Sequence, residues 1–153
     1  MGQLVLVRHA QASFFGASYD ELSALGREQA AALGEHWARH GVAYDRVYVG
    51  PRRRHRQTYD LVAAAYRERG LPWRALDALC VEPQARVCAF TSGGFVCAAT
   101  GWLLGLDDDR IVDLSLVLRN TALTEVSYSA RRRNLVSFNA LPHLADPRFA
   151  TAV

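Results

Sequence analysis

Apolar and polar positions along this chain follow two periods, and they switch between them several times. Residues 3–7, Gln-Leu-Val-Leu-Val, form a short apolar run rich in β-branched residues, which predicts a buried parallel strand. A polar loop extends from Ala10 to about Glu21. Leu22, Leu25, Gln29, Leu33 and Trp37 then recur at helical spacing. Ser23 is placed to cap that helix, which runs to about His40, and Gly41 ends it. Residues 46–49 predict a second strand. Gly50-Pro51 turns the chain, and Pro51 suits the first turn of a helix that runs to about Arg69 and stops at Gly70. From Leu71 to Gln84 no period is readable. Residues 86–91 predict a third strand, and Ser92-Gly93-Gly94 turns into a helix ending near Gly105. Phe95, Ala98, Ala99, Trp102 and Leu103 are expected to face inward from it. Strand patterns return around 121–128 and 133–138, separated by a turn at 129–132.

This alternation predicts an α/β fold, a sandwich with a mostly parallel central sheet. Ligands of such sheets bind beyond the carboxyl ends of the strands. Arg8-His9, the stretch 51–54 and Ser92-Gly93 all fall there. The length of 153 residues and a hydrophobic share of 50% suit a single domain over 1–153, with no repeat or linker. The net charge is +3 and every basic residue besides histidine is Arg. A guanidinium binds two phosphate oxygens at once, so this balance fits a small phosphorylated substrate. It excludes nucleic acid as the expected partner, because the basic runs are short and carry no interleaved aromatics. Leu4–Val7 is too short for a signal peptide and no run is long enough to span a membrane, so the expected location is cytoplasmic. Cys80, Cys88 and Cys97 lack metal-ligand spacing and are expected to be reduced core thiols. Asp107-Asp108-Asp109 follows a helix end and is expected to be a solvated loop rather than a metal site. No metal or other cofactor is expected. The pattern leaves the oligomeric state unknown.

The chemistry concentrates in two places. Thr58, Leu61, Val62, Ala65 and Tyr66 form the inner stripe of the second helix, and one step back of four residues from Thr58 lands on Arg54. Arg54 therefore points toward the core at the helix start. A buried guanidinium needs an anion, either a carboxylate of the fold or a bound phosphate. Arg52, Arg53 and Arg56 lie off the stripe and are expected in solvent. Arg8-His9 directly follows the first strand. A neutral imidazole attacks phosphorus without a separate base near pH 7. Two Arg forks can hold the equatorial oxygens during in-line attack. His36, His40, His55 and His143 are expected in surface or packing roles.

The residues around these places resemble the histidine phosphatase superfamily, with its phosphoglycerate mutase-like three-layer sandwich. Leu4–Ala10 is similar to the segment ending in the family's "RHG", with Ala10 for Gly. Leu22–Gly26 with Gln29-Ala30 resembles "LTxxGxxQA", and Gly50-Pro51 through Gln57-Thr58 resembles "SPxxRAxQT". Ser92-Gly93-Gly94 stands where "HGG" is expected, and 136–139 with His143-Leu144 resembles the tail of many members. The resemblance implies that His9 is the phosphorylated nucleophile and that Arg8 and Arg54 clamp the phosphoryl group. Ser92 and the backbone at Gly93 would add phosphate contacts at a helix start.

Two departures bear on activity. Ser92 replaces the family's second His, which donates to the phosphoryl oxygens. A lost donor of that kind costs about 2.7–4 kcal/mol of transition-state stabilisation. The stretch between Arg54 and Ser92 is also short for a lid: only Leu71–Gln84 is available, and its carboxylates, Asp77 and Glu82, are the local candidates for a general acid. The expected reaction is phosphatase chemistry through a phosphohistidine, with efficiency in question. The alternatives are a phosphohistidine phosphatase, whose imidazole leaving group needs less acid assistance, and a non-catalytic phosphate-binding module of the same fold.

Overall fold

The computed structural model describes residues 1–13, 20–65, 73–75 and 83–152. Its strands are β1 (Gly2–Arg8), β2 (Arg46–Val49), β3 (Trp73–Ala75), β4 (Arg86–Thr91), β5 (Leu123–Tyr128) and β6 (Arg133–Ala140). Its helices are α1 (Ala24–Arg39), α2 (Arg53–Ala64), α3 (Gly93–Leu104) and α4 (Asp108–Val117), with a 3-10 turn at Pro147–Phe149. The strands make a single six-stranded sheet in the order β3-β2-β4-β1-β5-β6. β3, β2, β4 and β1 run parallel; β5 is antiparallel to β1, and β6 to β5.

The sheet is covered on both faces, as its continuous apolar strands require. Successive side chains of a strand point to opposite faces. Val5 and Val7 of β1, Val47 and Val49 of β2, and Cys88 and Phe90 of β4 pack with Leu33, Trp37, Tyr59 and Val62 from α1 and α2. Leu6, Tyr48, Val87 and Ala89 turn the other way, onto Val96 and Cys97 of α3, with Ile111 and Leu114 of α4 beside them. The result is a three-layer α/β sandwich.

Most predicted elements lie where the pattern puts them. Ser23 caps α1, its hydroxyl oxygen accepting from the Gly26 amide at 2.9 Å, and Gly41 follows the helix end at φ +61°. β2 and β4 keep the predicted bounds. The described part of α2 ends at Ala64, while 66–70 lie outside the described residues. Cys88 and Cys97 are buried free thiols, and Cys80 lies outside the described residues.

Three expectations need correction. β3 adds an edge strand in the stretch that showed no period. The inward face of α3 is Val96, Cys97, Thr100 and Gly101, whereas Phe95 and Trp102 are 42% and 70% exposed. This helix is apolar nearly all round, so its phase is set by close approach rather than by hydrophobicity. A Cβ at Gly101 would stand 2.2 Å from Ile111 Cγ1, so glycine lets α4 lie directly against α3. Lastly, Asp107-Asp108-Asp109 starts a helix. The Asp107 carboxylate accepts from the Arg110 amide at 2.9 Å, and Asp108 and Asp109 occupy the first turn, where the helix dipole favours acids.

Gly26 marks the tightest crossing between α1 and the loop after β1. A Cβ there would stand 2.1 Å from the Gln11 carbonyl oxygen, a backbone atom that cannot step aside cheaply. Gly26→Ala is therefore expected to lower stability by about 1–3 kcal/mol despite alanine's better helix propensity. Denaturant unfolding of the two proteins checks this.

Candidate active site

The site is built where β1, β2 and β4 end side by side. His9 follows β1 and is 7% exposed. Its amide donates to the Thr91 carbonyl at 3.0 Å, which ties it to the end of β4. Its own carbonyl accepts from the Asn120 side-chain amide at 3.3 Å and from the Thr121 amide at 3.4 Å. Thr121 sits at φ +56°, a conformation that costs a β-branched residue energy and is held by its surroundings. Its hydroxyl donates to the Asn120 carbonyl at 2.7 Å and lies 2.9 Å from His143 Nε2.

The His9 ring is fixed by its own neighbour. Nδ1 lies 2.7 Å from the Ala10 carbonyl oxygen. A carbonyl only accepts, so the neutral ring carries its proton on Nδ1 and keeps the Nε2 lone pair available. Burial lowers the His9 pKa to about 3; the Ala10 carbonyl opposes this, while the charges of Arg54, His55 and Arg8 add to it. The imidazole is thus unprotonated across the ordinary pH range.

Arg54 enters from the first turn of α2, 9% exposed, as its helical phase predicts. Thr58, one turn on, ties the helix to the His9 loop: its hydroxyl accepts from the Ala10 amide at 3.0 Å and donates to the Arg54 carbonyl at 2.7 Å. Asp20 reaches the same helix start, accepting from the Arg53 amide at 2.9 Å. Its other oxygen is 3.8 Å from Arg54 Nε, too far for a hydrogen bond. Arg8 runs along α3, where a Cβ at Gly93 would stand 3.2 Å from its Nε, and it donates to the Leu118 carbonyl. Ser92 is the residue before α3, and its hydroxyl makes no cap bond to that helix.

His55, expected in a surface or packing role, is 2% exposed and belongs to this cluster. Its ring centroid is 5.6 Å from that of His9, and Nε2 is 2.9 Å from Ser92 Oγ. Burial lowers its pKa to about 4, with Arg54 adding to the shift and Asp20 opposing it. The helical phase does carry this signal, because position 55 is three residues before Thr58 and seven before Val62 and so falls on the inner face of α2. Its departure from the Ala of "SPxxRAxQT" was the other available signal. Asp77 and Glu82 lie outside the described residues. Among the described residues, no group of three or more His, Cys, Asp or Glu side chains is arranged to hold a metal ion, and no helix is long and apolar enough to cross a membrane.

His143 is also held neutral. Burial lowers its pKa to about 4, and His36 adds to the shift. The unfolded chain protonates such rings near pH 6.5, while the folded chain resists until about pH 4, or about pH 3 at His9. Folding therefore loses stability as pH falls through that window, because the unfolded state binds more protons. His143→Gln keeps an amide donor for Thr121 and cannot titrate. Its unfolding free energy is expected to fall less steeply between pH 6.5 and 5, by roughly one proton in the linkage slope. Denaturant melts at a series of pH values measure that slope.

The sequence model of the histidine phosphatase superfamily (branch 1) matches residues 4–80. No curated protein matches in sequence. Solved structures share the fold. The phosphoserine phosphatase of Entamoeba histolytica, solved with 3-phosphoglyceric acid, is 16% identical with a TM-score of 0.72, covering 94% of this chain and 99% of its own. A mycobacterial glucosyl-3-phosphoglycerate phosphatase is 18% identical with a TM-score of 0.67, covering 90% and 98%. SixA of Agrobacterium tumefaciens, a candidate phosphohistidine phosphatase, is 18% identical with a TM-score of 0.66, covering 90% and 97%. The family match spans half of the chain and includes β1, His9, α1 and α2, and the chain belongs to the histidine phosphatase superfamily.

Proposed function

We propose that this protein is a phosphatase that acts on a small phosphorylated substrate through a phosphohistidine at His9. The observation that carries the reading is the state of the His9 ring: buried, unprotonated, with Nδ1 held by the Ala10 carbonyl and Nε2 left as nucleophile. Nε2 forms a bond to phosphorus as the bond from phosphorus to the leaving oxygen breaks, and that oxygen takes a proton. Water then attacks the phosphorus of phosphohistidine, the phosphorus–nitrogen bond breaks, and inorganic phosphate leaves with His9 restored. Arg54 and Arg8 supply positive charge for the phosphoryl oxygens, with Ser92 and the Gly93 end of α3 beside them. Asp77 and Glu82 are the candidates for the general acid, and both lie outside the described residues. Three phosphatase neighbours of the same fold support phosphoryl-group hydrolysis as the class. Expected surroundings are cytoplasmic, with residues 1–153 read as a single domain.

An aryl phosphate tests the reading. His9→Ala is expected to abolish turnover, and Arg54→Ala to lower kcat/KM by about 10²–10³-fold. Turnover unchanged in His9→Ala would overturn the proposal. Wild-type protein without turnover, but stabilised against melting by inorganic phosphate in a manner that needs Arg8 and Arg54, would establish a binding module instead. Phosphohistidine as a second substrate separates the two phosphatase classes: preference for the aryl ester excludes the phosphohistidine one.

A further inference from the structure

Three of the chain's departures from the motifs it resembles are Gly50 in place of Ser and His55 in place of Ala, within one segment, and Ser92 in place of His in another. In the fold these three positions meet. His55 Nε2 is 2.9 Å from Ser92 Oγ. On its other side the ring lies against Gly50, where an added Cβ would stand 2.2 Å from Nδ1 and 2.9 Å from Cε1. A serine at position 50 is thus incompatible with this imidazole in its observed place. A smaller residue at 50 admits the ring, a smaller residue at 92 leaves it space, and the Ser92 hydroxyl anchors it.

We infer that His55 supplies the second imidazole of the phosphoryl site, delivered from α2 instead of from the start of α3. The inference rests on the phosphatase reading and assigns one more catalytic group to it. Three points of geometry carry it: the ring is 5.6 Å from that of His9, it is 2% exposed, and it follows Arg54 on the same helical turn. Two adjacent residues of α2 therefore reach one pocket. The Ser92 hydroxyl can accept from His55 Nε2–H or donate to Nε2, so it can fix the ring in either tautomer. A small turn of the imidazole moves its N–H from Ser92 to an oxygen of a phosphoryl group on His9. Donors aimed at such oxygens in a water-poor site are worth far more than in solvent. The loss expected from Ser92 is offset by His55, and the deficit implied by the motif does not arise.

A four-protein comparison with aryl phosphate tests this: wild type, His55→Ala, Ser92→His and the double variant His55→Ala/Ser92→His. His55→Ala is expected to lose about 10²-fold in kcat. The double variant, which moves the imidazole back to position 92, is expected to regain at least tenfold of that loss. Ser92→His alone is expected to gain nothing, since two rings compete for one space. Gly50→Ser is expected to reduce wild-type turnover and to be tolerated in the double variant. His55→Gln, which retains a donor, guards against simple misfolding and is expected to lose less than His55→Ala. Turnover of His55→Ala within twofold of wild type, or a double variant no better than His55→Ala, overturns the inference while leaving His9 chemistry intact. If wild type shows no turnover, the phosphatase reading fails by itself. Calorimetric binding of inorganic phosphate then decides: weaker binding in His55→Ala that the double variant restores supports His55 as an oxyanion donor, and equal binding, or none in any variant, overturns it.

Discussion

The chain leaves the sheet at Arg8 and yet stays buried through Ala12, and the rest of the structure answers to that constraint. His9, Ala10 and Ala12 are 7%, 0% and 6% exposed. Backbone groups buried outside a sheet or helix must find partners or cost several kcal/mol. Thr91 at the end of β4 accepts from the His9 amide, Thr58 of α2 accepts from Ala10, and Gln29 of α1 accepts from Gln11. Asn120 and Thr121 donate to the His9 carbonyl. Four segments thus converge on three residues, His9, Ala10 and Gln11, and the nucleophile candidate is one of them.

This convergence explains why polar residues occupy fully buried positions. Gln29 is 0% exposed because it has three partners: besides the Gln11 amide, its side-chain nitrogen donates to the Phe149 carbonyl at 2.7 Å and to Thr151 Oγ at 2.8 Å. Thr151 continues the chain of contacts to Asn120. The C-terminal tail is thereby wired to the far side of the His9 loop. A buried hydrogen-bonded network of this kind holds the His9 loop in one position. The strained backbone of Thr121 belongs to the same device.

The electrostatics follow from the same burial. The His9 and His55 rings lie buried near the charges of Arg54 and, for His9, Arg8, and burial followed by these charges keeps them neutral. The cations that remain are Arg8 and Arg54, the pair whose charge does not depend on pH. Asp20 at the rim tempers Arg54 without forming a close pair with it.

Periodicity and turn residues determined the sandwich, because strands buried on both faces and capped amphipathic helices are local in origin. They located β1, α1, β2, β4 and the carboxyl-edge site, and they aimed Arg54 correctly, since a phase of four residues is set within one helix. Only tertiary structure decided what depended on two segments at once. The face of α3 was illegible because the helix is apolar all round and Gly101 chose its contact. The three aspartates at 107–109 became a helix start because α4 had a surface to pack on. His55 carried a local signal in its departure from the motif and in its inward phase on α2, but its neighbours were not legible there. The place of its ring rests on Gly50 and Ser92, which leave room for it, and no reading of α2 by itself contains that space.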